Sequence, residues 1–159
     1  MADVRVGVGY DVHRLVRGRR LVLCGVELES DVGLEGHSDA DVALHALCDA
    51  LLGAAARGDI GHHFPPGDER WRDADSLDLL RRVGEQLGDY AIGNVDVTVI
   101  AERPRLAPHV EAMRTRLADA LGIGVGRVSV KATTNEGLGF IGRGEGIAAL
   151  AVATISRTP

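Results

Sequence analysis

The chain has 159 residues and a formal net charge of −5, with 45% hydrophobic and 26% charged residues. That is the size and balance of one globular domain. The acidic total excludes broad nucleic-acid binding, which needs a basic surface to displace counterions, though metal ions and a few local cations can still make one cleft positive.

Aromatic residues are only 3% of the chain while glycines number 21, so the core must rest on Val, Leu, Ile and Ala. The opening MADVRVGVGYDVH lacks the apolar core of a secretory leader. No run of about 18 apolar residues free of charge suggests a membrane span. Cys24 and Cys48 form no CxxC pair, which points to buried, reduced thiols in a cytoplasmic protein.

In chain order, Val4, Val6, Val8 and Tyr10 alternate with other residues at the period of a strand. Residues 17–20 read as a turn, and 21–24 and 26–28 as strand pieces of a hairpin. A polar loop is expected over 29–38. The Ala- and Leu-rich stretch 39–57 is the strongest helix, capped by Ser38 or Asp39 and ended by Gly58. A loop over 59–73 leads to a second helix over 77–87, capped by Asp75 or Ser76. Residues 94–102 form a strand with Val95, Val97 and Val99 on one face. A third helix starts near Pro108 and keeps Val110, Met113, Leu117 and Leu121 at helical spacing before Gly122. Residues 128–132 and 146–155 are the last strands. The expected fold is α+β: a single domain with a mixed β-sheet and helices on one face.

Five stretches carry chemistry. In Gly7–His13, Asp11 and His13 stand two apart on a strand and so face the same side. They can offer a carboxylate and an imidazole to a zinc-like ion, or be only a surface acid beside a histidine. In Gly36–His45, Asp41 and His45 share a helix face, which Asp49 continues. The rest of that helix is apolar, so an unpartnered His45 would be costly there. Joining Asp11 and His13 as a third ligand removes the cost and leaves one position open, the pattern of a catalytic zinc. Gly58–Pro65 is a loop whose backbone could approach a polar substrate, or an ordinary turn. Lys131–Glu136 offers a cation, hydroxyls and an amide to phosphates, and Glu136 offers oxygen to a hard divalent ion. In the glycine-rich stretch 137–146, Arg143 and Glu145 can pair.

Together the blocks GYDVH, GHSDADVALHALCDALLGAAARGDIGHHFP, GNVDVTVIAERP, KATTNEGLGF and GRGEGIA resemble the 2-C-methyl-D-erythritol 2,4-cyclodiphosphate synthase family, in order and spacing from Val4 to Ile155. The resemblance implies a homotrimer with its sheets around the threefold axis and active sites between subunits. It implies cyclisation of 4-diphosphocytidyl-2-C-methyl-D-erythritol 2-phosphate, with release of CMP, in non-mevalonate isoprenoid biosynthesis. By the same resemblance Asp11, His13 and His45 are ligands to Zn²⁺ or a similar ion, and Glu136 binds Mg²⁺ or Mn²⁺ with the substrate phosphates. His37 and Thr134 match positions that stabilise the transition state. Asp59, Ile60 and Gly61 match the loop over the methylerythritol part. Ala101, Glu102, Arg103, Pro104, Arg105, Leu106 and Ala107, with Thr133, match the cytidine diphosphate pocket. Val12, Ser38, Phe64, Asp68, Lys131 and Asn135 complete the implied substrate contacts. Phe140 and Arg143 match ligand-contacting positions towards the axis, where an isoprenoid diphosphate is a further candidate ligand. Three residues depart from the common pattern: Arg105 stands where many relatives carry Lys, and Asn135 and Gly67 where many carry Thr. Two other readings of the residues remain open: a zinc phosphoester hydrolase that lacks an HExxH-type base, and a non-enzymatic metal-stabilised oligomer or isoprenoid-binding module.

Overall fold

Glycines decide how the sheet meets its main helix. In a computed structural model that describes residues 3–157, the first strand, β1 (Asp3–Arg17), lies against the first helix, α1 (Val42–Ala54). A Cβ on Gly7 would stand 1.9 Å from the Ala50 carbonyl oxygen, and one on Gly9 would stand 1.8 Å from that of Ala46. Only glycine lets strand and helix backbones approach this closely. Because side chains on a strand alternate between faces, Asp11 and His13 continue the Gly7–Gly9 face and meet α1 one turn further along.

The remaining elements are β2 (Leu21–Leu23), β3 (Val26–Leu28), β4 (Val32–Leu34), α2 (Ile60–His63), α3 (Ser76–Gln86), β5 (Ala91–Ile100), α4 (Val110–Leu121), β6 (Val128–Thr133), α5 (Gly139–Gly142) and β7 (Gly146–Arg157). The five-stranded sheet has the order β4-β1-β7-β5-β6, and β2 and β3 pair separately. The β5–β6 pair is parallel and the other pairs are antiparallel. The mixed sheet, with helices on one face of a single α+β domain, agrees with the sequence reading. Val95, Val97, Val99, Ala149, Ala151 and Ala153 form its buried side, against Leu44, Leu47, Leu51 and Leu117 of the helices.

Several boundaries differ from those expected. The β1 strand runs to Arg17, into the expected turn, because its end pairs with β4, which lies inside the expected loop. Helix α1 begins later than residue 39. Its cap is Asp41, not Ser38 or Asp39, and the Asp41 carboxylate accepts from the Leu44 N–H. That carboxylate also accepts from the Cys24 and Gly25 N–H groups, tying the β2–β3 turn to the helix. The helix ends at Ala54, before Gly58. Asp75 caps α3 as one of the two candidates foresaw, and Gly122 closes α4 in the left-handed region. The expected 59–73 loop contains α2 and a short 3₁₀ turn over Glu69–Trp71.

The opposite face of the sheet is apolar and open. Val4, Val6, Val8 and Tyr10 are 64%, 62%, 62% and 55% exposed, and Val12 and Leu150 belong to the same face. Four consecutive alternate positions of one strand exposing large apolar side chains exceed the scattered exposure normal for a monomer. Among the described residues no helix is long and apolar enough to cross a membrane.

Candidate metal centre and substrate cleft

The two strand residues and the helix residue converge. Asp11 Oδ2 lies 3.0 Å from His13 Nε2 and 3.1 Å from His45 Nδ1. The two imidazole nitrogens are 3.2 Å apart. One carboxylate oxygen and two ring nitrogens thus share one small space, with all three residues partly buried. Burial alone would raise the Asp11 carboxyl, but the two imidazoles hold it well below the usual carboxylate range. For His13, burial would lower the basicity and the Asp11 carboxylate overrides it, leaving the ring more basic than usual.

The outer nitrogens are already engaged. His13 Nδ1 lies 2.6 Å from the Glu35 carbonyl oxygen, so it carries the proton and donates it there. His45 Nε2 lies 3.2 Å from the hydroxyls of both Ser38 and Ser76. Each ring therefore directs a lone pair inward, beside an ionised carboxylate. A carboxylate and two neutral imidazoles, each oriented from behind by a hydrogen bond, suit a zinc-like ion with a position left open. Asp41, which shares the helix face with His45, has a different task. It is fully buried among backbone N–H groups, and burial pushes its carboxyl up to about 7.

The cluster opens into a cleft of about 240 Å³ lined by Gly36, His37, Ser38, Asp49, Ile60, Gly61, Phe64 and Trp71, among others. Phe64 and Trp71 meet edge to face at 4.9 Å and form its apolar wall. The loop over the cleft is fixed at two points. Asp59 accepts from the His62 N–H, and Asp49 accepts from the Ile60 N–H at 2.7 Å. Burial raises the Asp49 carboxyl.

A model of the YgbB family matches residues 4–156. The chain belongs to the YgbB family. It is 65% identical over 153 residues to a 2-C-methyl-D-erythritol 2,4-cyclodiphosphate synthase of Symbiobacterium thermophilum, covering 95% of this chain and 98% of that one. It is 62% identical over 154 residues to the enzyme of that name from Moorella thermoacetica, covering 96% and 94%. Among solved structures, the bifunctional IspDF of Campylobacter jejuni superposes with a TM-score of 0.95 at 39% identity, over 99% of this chain and 43% of that chain. A CDP complex of IspF from Plasmodium falciparum superposes with a TM-score of 0.85 at 32% identity, over 98% and 97%.

In this YgbB-family chain the remaining expected residues fall in separate places. Residues Ala101–Ala107, with Thr133 and Thr134, line a second cleft that shares no residue with the first. Glu102 accepts the Asn135 N–H at 2.7 Å and so joins the two segments of that cleft. Glu136 is exposed in the left-handed region, and its N–H donates to the Thr134 hydroxyl at 3.1 Å. Lys131 is held by Asp96 at 2.6 Å, and Arg143 by Glu145 at 2.6 Å. Asp68 caps the 3₁₀ turn and is gripped by Arg70. The Val12 side chain lies on the sheet face opposite Asp11 and His13, in a shallow cleft with Phe140. Sequence reasoning gave no role to Glu35, only a helix-cap role to Ser76, and none to Asp49 beyond its helix face. A carbonyl partner leaves no signal in a sequence, and Ser76 lies 31 residues from His45.

Proposed function

We propose that the chain converts 4-diphosphocytidyl-2-C-methyl-D-erythritol 2-phosphate into the 2,4-cyclodiphosphate and CMP. The observation that carries the reading is the Asp11–His13–His45 cluster at the mouth of a cleft, in a chain over 60% identical to named synthases along almost its whole length. An oxygen of the substrate's 2-phosphate attacks the β-phosphorus. The new P–O bond forms as the bond to the α-phosphate breaks, and CMP carries that electron pair away. No water and no protein nucleophile take part.

The protein's work is then to fold the substrate and to balance crowded negative charge. Asp11, His13 and His45 would hold Zn²⁺ or a similar ion, and Glu136 would hold Mg²⁺ or Mn²⁺. When bound, these ions supply Lewis-acid charge to the phosphate oxygens. The Ile60 and Gly61 backbone, fixed by Asp59 and Asp49, closes over the methylerythritol part. His37 lines the cleft, where its ring reaches the phosphates, and the Thr134 hydroxyl beside Glu136 serves the departing CMP. Residues 101–107 and Thr133 take the cytidine diphosphate.

One chain holds the metal cleft and the nucleotide cleft as separate sites. The open stripe Val4–Val6–Val8–Tyr10 supports a homotrimer in which the sheets surround the axis and each chain's nucleotide cleft completes its neighbour's metal cleft. Incubation of the zinc-loaded protein with this substrate and Mg²⁺, followed by ³¹P NMR, tests the reading. Equal amounts of cyclic product and CMP are expected. Incorporation of ¹⁸O from labelled water into the product, or no CMP release from a folded, zinc-loaded sample, overturns it.

A further inference from the structure

The metal ligand His45 is gripped from behind by a residue outside every motif above. We propose that Ser76, the first residue of α3, is a positioning residue that relays the Asp39 carboxylate to His45 and fixes His45 Nδ1 as the metal-binding nitrogen. The inference rests on the metal assignment and adds to it the element that makes His45 a ligand of one orientation.

The geometry runs as a chain. His45 Nδ1 faces Asp11 and His13, so the ring proton belongs on Nε2. That nitrogen sees two hydroxyls at 3.2 Å, those of Ser76 and Ser38, and they are not equivalent. Ser76 is fully buried and its hydroxyl donates to Asp39 Oδ1 through a short bond. With its proton committed there, its oxygen can only accept, and the His45 Nε2–H is the donor beside it. The Ser38 hydroxyl instead accepts from the Ala40 N–H and lines the cleft, so its own proton is free for a ligand.

Asp39 is suited to anchor the relay. Besides the Ser76 hydroxyl it accepts from the Ser76 N–H at 3.1 Å and the Asp41 N–H at 3.2 Å. A carboxylate engaged by three such donors is held in place and draws the hydroxyl proton towards itself. The Asp39 N–H is also tied to the Ala74 carbonyl. The relay thus spans α1, α3 and the segment before each, and it sets the ring plane of His45 by packing as well as by charge. Partners of this kind determine the tautomer of a ligating imidazole and raise its donor strength, and their loss weakens metal binding about 10- to 100-fold.

The test measures zinc affinity by competition with a chromophoric chelator, using the intact protein in its native assembly. Ser76→Ala is expected to lower the affinity about 10- to 100-fold, whereas Ser76→Thr, which keeps the hydroxyl, remains within about 3-fold of the parent. Urea titration of the metal-free proteins separates this from a folding defect. In zinc-loaded wild type with ¹⁵N-labelled histidine, His45 should show a ligated Nδ1 and a protonated Nε2, whose proton exchanges faster in Ser76→Ala. Unchanged zinc affinity in folded Ser76→Ala overturns the proposal, as does ligation through Nε2 in the wild type. If Ser76→Ala does not fold, the wild-type tautomer decides alone. A folded wild type that takes up no zinc overturns the metal centre, and the relay with it.

Discussion

Gly9→Ala is the substitution whose consequence follows most directly from the geometry. The added methyl would meet the Ala46 carbonyl oxygen at 1.8 Å and the Ala50 nitrogen at 2.8 Å. Both are backbone atoms, so no side chain can rotate away. Restoring ordinary contact requires α1 to retreat by roughly 1.5 Å. His45 immediately precedes Ala46, and Asp11 lies two residues beyond Gly9, so the retreat opens the cluster directly. Metal–ligand distances tolerate about 0.2 Å, far less than the shift. Overpacking of this kind costs about 3 kcal/mol or more when backbone must move, and zinc affinity should fall at least about 100-fold. Gly53→Ala in the same helix is the control. Its Cβ meets nothing within 4 Å, so it should be neutral or stabilise by about 0.5–1 kcal/mol. Urea denaturation of the metal-free proteins and zinc stoichiometry after dialysis read both effects. Wild-type stability and full zinc occupancy in Gly9→Ala would refute the claim that helix–strand contact sets the site.

Asp41→Ala leaves three N–H groups, of Cys24, Gly25 and Leu44, without their acceptor, and should cost about 2–4 kcal/mol in urea titration. If the proposed trimer packs on the open apolar stripe, Val8→Asp places a charge in its interface and should lower the sedimenting mass to that of one chain, with loss of activity; a wild type that sediments as one chain refutes the trimer. Beside the raised Asp41 carboxyl, which favours the fold at low pH and loses that effect as pH rises towards about 7, the metal cluster adds two opposite shifts to the pH dependence of the metal-free protein. The Asp11 carboxyl is held below its ordinary 3.8, so its contribution is present above that value and is lost as pH falls through the depressed one. His13 is raised above 6.5, so its contribution is full below that value and is lost as pH rises through the raised one. The pair therefore stabilises the metal-free fold most between about pH 4 and 6.5, whereas zinc, which competes with the His13 proton, should bind more tightly as pH rises. Melting curves with and without zinc across pH 4–9 check both signs.

How much of this was legible in the sequence depended on range. Asp11 and His13 were readable as a pair because strand period alone puts them on one side. His45 was readable as a third ligand because an apolar helix makes a lone imidazole costly. Local period also found the cores of α1, α3 and α4. It failed at the start of α1, where Ser38, Asp39 and Asp41 are all competent caps. The choice fell to Asp41 because only its carboxylate also reaches the Cys24 and Gly25 N–H groups, a contact between segments 16 or 17 residues apart. The same reason hid the Ser76 and Glu35 contacts, which exist only once α3 and the 29–38 segment fold back onto His45 and His13. Strand alternation announced Val4, Val6, Val8 and Tyr10, but alternation does not say which face meets the helices. Gly7 and Gly9 decide that, by admitting α1 on their own side and leaving the valines outward.

That division explains how an acidic chain of 159 residues can serve a substrate carrying several phosphates. The helix side of the sheet is largely committed to packing, and a polar cluster interrupts it where β1 passes α1. The cation beside it, Arg19, is turned onto the Ser38 carbonyl at 2.7 Å, and elsewhere Lys131 is paired with Asp96 and Arg143 with Glu145. The groups turned towards the cleft are instead carboxylates, imidazoles and hydroxyls, which can hydrogen-bond phosphate oxygens but supply balancing charge only through a cation they hold. On the proposed reaction the positive charge is therefore recruited with the metal, not built into the fold. Removing zinc should then abolish turnover while leaving the sheet, its helices and the apolar stripe intact, because none of the packing that defines them passes through the ion.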